Sequence, residues 1–221
     1  MKRISRNWTE YNESLSQEPD AQIEDTEWAA PLKSLIPGKI DAILEVGCSN
    51  GRYLTNLDRV VHAKELVGLD LVSCKTPEKM HFVQGDGMRL PFKDGAFDFV
   101  YSMGVLEHFK RDDRETLIKE QSRVLKSGGI VMILMPNCTL GSLRFAKTKT
   151  LDLFREFHHM AYTPSQIRDE LRRNGIEVLV ERFMGSSVHI GKLNLSAPAR
   201  PTRYRVFSDE YVIMGKRMGG A

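Results

Sequence analysis

Cysteine is scarce in this chain. Its 221 residues hold Cys48, Cys74 and Cys138, an odd number at wide spacing, with no C-x-x-C pair. That argues against both a zinc site and a disulfide framework, and leaves reduced thiols and a cytoplasmic setting as the expectation. No apolar run approaches the ~20 residues of a membrane span. The basic start, Met1 to Arg6, is not followed by an apolar segment, so no secretory signal is expected. Net charge is only +3, from 32 basic and 29 acidic residues, too mild to imply a nucleic-acid partner by itself. No aromatic-interleaved RNA-binding motif accompanies the basic clusters Arg144/Lys147/Lys149 and Arg200/Arg203/Arg205. Internal repeats and low-complexity stretches are absent. The length suits one α/β domain with an ample core.

What is present is concentrated in Ile43-Leu-Glu-Val-Gly-Cys-Ser-Asn-Gly-Arg-Tyr53. A short apolar run, Ala42 to Val46, reads as a buried strand. A loop with Gly47, Ser49 and Gly51 follows, then helical periodicity at Tyr53, Leu54 and Leu57. Strand, tight glycine loop and helix form the ligand-binding corner of an open α/β sheet. Glycines allow close backbone approach, and a helix start aims free N–H groups at a ligand. A dinucleotide fingerprint needs G-x-G-x-x-G; here the positions read Gly47, Ser49 and Arg52, which disfavours a nicotinamide dehydrogenase. No Gly-Lys-Ser/Thr follows, so the loop is not a P-loop either.

Further strands end in acids or turn residues. Glu65 to Leu69 runs into Asp70, about 20 residues beyond the glycine loop, where an acid is placed to accept from ribose hydroxyls. Met80 to Gln84 runs into Gly85-Asp86-Gly87. Leu90-Pro-Phe-x-Asp-x-x-Phe97-Asp98 leads into a fourth strand ending near Ser102. Arg114 to Leu125 is an amphipathic helix with Leu117, Ile118, Gln121 and Leu125 on one face, and Lys126 to Gly129 reads as its stop. Ile130 to Met135 is apolar throughout, as a central parallel strand should be. Thr163-Pro-Ser-Gln166 starts a capped helix ending at Asn174-Gly175. Strands are expected over Ile176 to Phe183 and Phe207 to Lys216. Pro77 argues against a full crossover helix after Asp70.

This succession resembles the class I S-adenosylmethionine (SAM) methyltransferases, from about residue 40 to 136 and again from Tyr162. Glu45-x-Gly47-x-Ser49-x-Gly51 is similar to their first motif, with serine for the middle glycine, a change that matters only if residue 49 needs a positive φ. The resemblance implies a doubly wound, Rossmann-like sheet of seven strands with the last antiparallel. It implies an extension over residues 1–39 and a SAM-binding domain over 40–221. Glu45 would complement the charge of SAM, with Gly47, Cys48, Ser49 and Gly51 around it. Asp70 and Leu71 would lie at the ribose, Asp86 and Gly87 at the adenine, and Ser102 and Met103 near the sulfonium.

Catalytic residues are harder to read. Methyl transfer needs positioning first, and a base only when the acceptor must lose a proton. Glu107 and His108 follow the fourth strand, and His158 and His159 lie in the segment 137–161, where Leu151, Leu153, Phe154 and Phe157 suggest a helix or lid. The (N/D/S)-P-P-(Y/F) tetrapeptide of amino-methylating nucleic-acid enzymes is replaced by Ser102-Met-Gly-Val, and the cysteine nucleophile of base C5-methylating enzymes is missing. A small-molecule acceptor is therefore the first expectation. A protein or RNA acceptor, and a non-catalytic SAM-fold binding or partner protein, are the alternatives. Oligomeric state is not legible. In the extension, Ile23, Trp28, Leu32 and Leu35 would share a helix face ended by Pro37-Gly38, with Trp8 and Tyr11 on an earlier element. Such a helix would either cover the cofactor or pack on the sheet. Residues 185–203 read as a long loop.

Overall fold

The computed structural model describes residues 26–36, 38–136, 162–184, 187–190, 193–196 and 210–219. Nine strands are described: β1 Ile40–Val46, β2 Ala63–Asp70, β3 His81–Gln84, β4 Phe97–Met103, β5 Leu125–Pro136, β6 Ile176–Met184, β7 Ser187–Ile190, β8 Leu193–Ser196 and β9 Glu210–Arg217. The helices are α1 Ala29–Leu35, α2 Arg52–Val61, α3 Arg111–Val124 and α4 Pro164–Arg173. Seven strands form one sheet in the order β3-β2-β1-β4-β5-β9-β6. The first five run parallel, and β9 is antiparallel to both its neighbours. This is the class I methyltransferase strand order, with the antiparallel strand last in the chain.

Period-two alternation divides each central strand between two cores. Leu44 and Val46 of β1, Val100 of β4 and Ile133 of β5 face Ile118 on α3 and Ile167 on α4. Ile43, Phe99, Tyr101, Met132 and Met214 face the other way, beneath Trp28 just before α1, Leu32 of α1 and Leu54 and Leu57 of α2. The helix expected from Trp28, Leu32 and Leu35 is thus α1, and it packs on the sheet. Leu32 is fully buried and Leu35 only partly. Ile23, Trp8 and Tyr11 lie outside the described residues.

Local sequence explains several boundaries. Thr163 and Gln166 form a reciprocal capping box at the start of α4, with Pro164 in the first turn. Gly175, at φ +74°, turns the chain into β6. No helix is described between β2 and β3, as Pro77 suggested.

Three expectations change. α3 starts at Arg111, three residues earlier than expected. The Lys126–Gly129 stretch belongs to β5, which starts directly at Leu125. Leu125 is buried opposite Phe97, so burial draws the chain straight into the sheet, and the register shift before Ile130 absorbs the extra residues. Within 185–203, β7 and β8 pair as an antiparallel hairpin, so that stretch is not simply a loop.

A buried ion pair joins the helices of one layer. Arg114 on α3 donates from Nε and Nη2 to both carboxylate oxygens of Glu170 on α4, at 2.8 and 2.7 Å. Near the amino ends of the strands, Asp98 accepts from the Asp41 and Ala42 N–H groups at 3.0 Å and from Lys126 Nζ at 2.8 Å, tying β4 to β1.

Candidate cofactor site at the carboxyl edge

Strand order reverses between β1 and β4, and the crevice outside the carboxyl ends of such strands is where open α/β sheets bind ligands. The glycine loop occupies this place. Gly47 and Gly51 have φ +79° and +72°. Ser49 also has a positive φ, +47°, so serine stands at a position whose geometry favours glycine. A side chain at 47 would collide with Val105, and one at 51 with Met80.

The loop is stitched to the end of β2. The N–H groups of Gly47 and Cys48 both donate to the Leu69 carbonyl, at 2.7 and 3.1 Å. Asp70 Oδ2 accepts from the Ser49 N–H at 2.8 Å, and Oδ1 from Val72 N–H at 3.0 Å. The Gly47 and Cys48 amides are therefore engaged with β2. Cys48 points its buried thiol into the core, where desolvation pushes its pKa well up. Cys74 donates its thiol to the Ser49 carbonyl. Leu71 is 49% exposed beside Asp70.

Glu45 lies beneath the loop, 1% exposed. Its Oε2 has no hydrogen-bond partner. Burial pushes its pKa up to about 8; the adjacent Tyr101 hydroxyl opposes the rise, the Asp70 charge adds to it, and the Leu54 N–H opposes it. An orphaned buried carboxylate oxygen at the first turn of α2 fits a cationic ligand group.

The third acid also sits at this edge. Asp86 Oδ1 accepts from Met88 N–H at 2.9 Å in the turn after β3. Gly87 is wedged against Leu117 and Val46, leaving no room for a side chain. The Ser102 Oγ is buried and reached by Gln121 Nε2 at 3.5 Å, on the α3 side of the sheet. Met103 packs against the opposite core. After β4, Leu106–His108 forms one 3-10 turn. Glu107 within it is 1% exposed, and burial pushes its pKa up to about 8. His108 is next to it, with Nε2 4.0 Å from Glu107 Oε1.

The structure thus gathers Glu45, the 47–51 loop, Asp70, Leu71, Asp86, Gly87, Glu107 and His108 along the ends of β1 to β4. His158 and His159 lie outside the described residues. Sequence reading missed Tyr101, which faces Glu45, and Val105, which covers Gly47. No local pattern in Phe97 to Met103 says which strand Tyr101 meets, because the strand is buried on both faces.

A family model described as "Methyltransferase domain" matches residues 44–133. A mouse (Mus musculus) protein named probable tRNA methyltransferase 9B is 33% identical over 125 residues, covering 54% of this chain and 27% of that protein. The chain therefore spans only about a quarter of that relative. Among solved structures, the complex between the Haloferax volcanii Trm112 methyltransferase activator and a candidate methyltransferase matches with TM-score 0.66 at 20% identity, covering 99% of both chains. The N-methyltransferase NodS of Bradyrhizobium japonicum, bound to S-adenosyl-L-homocysteine, matches with TM-score 0.62 at 15% identity, covering 97% and 98%. These two likenesses establish the fold. Residues 44–133 match the methyltransferase-domain model, and the chain has the class I methyltransferase fold.

Proposed function

We propose that this protein transfers a methyl group from SAM to a small-molecule acceptor. The observation that carries the cofactor reading is Glu45: a buried carboxyl with an unpartnered oxygen, under a loop of positive-φ residues at a helix start. Glu45 would pair with a cationic group of the cofactor. Asp70, which keeps lone pairs beyond its two backbone bonds, would take the ribose hydroxyls. Asp86 and the Gly87 N–H would address the adenine, and exposed Leu71 would cover it.

When bound, the cofactor supplies a methyl group already activated on sulfur, so the chain's task is chiefly to align the reactants. Where the acceptor must lose a proton, Glu107 and His108 are the nearest titratable side chains after β4. Free Cys48 and Cys74 support a reducing, cytoplasmic setting. We retain residues 1–39 as an extension and 40–221 as the catalytic domain.

An RNA or protein acceptor is the second reading, supported by the relative named as a tRNA methyltransferase. The likeness to a structure of a complex with an activator supports a partner-dependent enzyme. Calorimetric titration with SAM, S-adenosylhomocysteine and NAD tests the cofactor. Micromolar binding of the first two alone is the expected result, and binding of NAD alone would overturn it. Methyl transfer to tRNA, steeply weakened by salt, would replace the small-molecule reading.

A further inference from the structure

The turn after β4 carries a second buried carboxyl that its surroundings do not satisfy. Gly104, at φ +66°, bends the chain as it leaves the strand, and its N–H is anchored to the Leu134 carbonyl at 2.9 Å. Val105 then lies on Gly47, so this turn forms one wall of the glycine loop. Two residues on, Glu107 is buried with Oε2 lacking any partner, and Oε1 has His108 Nε2 at 4.0 Å.

Two orphaned carboxyls therefore flank the switch point, one on β1 and one just beyond β4. Each invites a positive charge, because an unpaired buried acid is costly. The proposed cofactor carries two such charges, an ammonium and a sulfonium. If the ribose lies at Asp70, on the β2 side, the sulfur attached to it extends the other way, toward the β4 turn.

We propose that Glu107 is the specificity residue that senses the sulfonium charge, favouring the methylated cofactor over its demethylated product, while Glu45 serves the ammonium common to both. This rests on the SAM reading above. The groups that bear on Glu107 are His108 on its own turn and its own backbone N–H. Those around Glu45 are Tyr101 on β4, Asp70 on β2, Cys48 in the loop and the Leu54 N–H on α2. Without a cation the burial keeps both carboxyls protonated near neutral pH. A sulfonium beside Glu107 favours its ionised form, and that proton leaves to solvent. Once the sulfur is neutral, the carboxyl recovers a proton and the grip on the product relaxes.

The test is calorimetry on the full chain at pH 7, with SAM and with S-adenosylhomocysteine, each in two buffers of different ionisation enthalpy. Wild-type protein should release more protons with SAM than with the product. Glu107→Gln should erase that difference and lower the SAM-to-product affinity ratio about tenfold, leaving product affinity nearly unchanged. Glu45→Gln should weaken both ligands together. Equal proton release for the two ligands in the wild type, or a difference that survives Glu107→Gln, overturns the role of Glu107. If the variant fails to fold, the wild-type proton counts alone decide. Binding of neither ligand would remove the cofactor reading itself, a result distinct from binding of both with equal release.

Discussion

Glu45 on β1 and Tyr101 on β4 are register partners, and both side chains are buried on the same face of the sheet. A carboxyl and a phenol thus share a dry site under the glycine loop. Burial raises the pKa of both, Glu45 to about 8.

That shift predicts a pH dependence of the ligand-free protein. The ordinary value for Glu45 is 4.5, so from there to about 8 the unfolded chain has given up a proton that the folded chain keeps. Stability is therefore full below the lower value and is lost as pH rises through the upper one. Glu107 acts in the same window and direction. Glu115 and Glu120 are shifted down, so their effect falls at more acid pH. Urea unfolding at pH 5, 6.5 and 8 should show a decline that Glu45→Gln flattens by roughly 2 kcal/mol. Parallel curves for the two proteins would contradict the burial argument.

Asp70 has two duties. It holds the Ser49 and Val72 N–H groups, and it is the proposed ribose acceptor. Asp70→Ala should weaken SAM binding by roughly 1–3 kcal/mol and also lower the unfolding midpoint, since two backbone donors lose their partner. Unchanged affinity in calorimetry would displace the ribose from this site.

Serine at position 49 stands at φ +47°, where an L residue is strained by roughly 1–2 kcal/mol. Ser49→Gly should therefore raise the thermal midpoint slightly, with the greater flexibility of the unfolded chain offsetting part of the gain. Ser49→Val should lower it and impair cofactor binding, because a branched side chain tolerates this region worst. A midpoint for the valine variant equal to wild type would show that the loop rearranges freely.

The Arg114–Glu170 pair is buried on both sides, with side chains 3% and 1% exposed. Arg114→Met alone should cost about 3–5 kcal/mol in chemical denaturation, because it leaves the buried Glu170 without its cationic partner. Arg114→Met with Glu170→Leu should recover most of that loss. A double variant no better than the single would mean that the pair also organises the α3–α4 contact.

The candidate site was legible because its signals are local. Strand alternation, a glycine loop, an acid closing each of two strands and a capping box all lie within a few neighbouring residues. They sufficed for the α/β class, and the resemblance they carried supplied the seven-stranded sheet with its last strand antiparallel. The roles of single residues were less legible. Cys48 and Ser102 belong to the matched motifs, yet the fold turns one side chain into the core and the other toward Gln121.

By itself, then, the sequence determined most elements of the central sheet, the loop at the end of β1 and the acids at the strand ends, since short-range periodicity and turn chemistry specify these. Only the tertiary structure decided that Tyr101 meets Glu45, that Val105 covers Gly47, that Asp70 grips the loop, and that Arg114 finds Glu170 56 residues away. Those pairings depend on register and layer packing between distant segments, which many side chains fix jointly and no local pattern encodes.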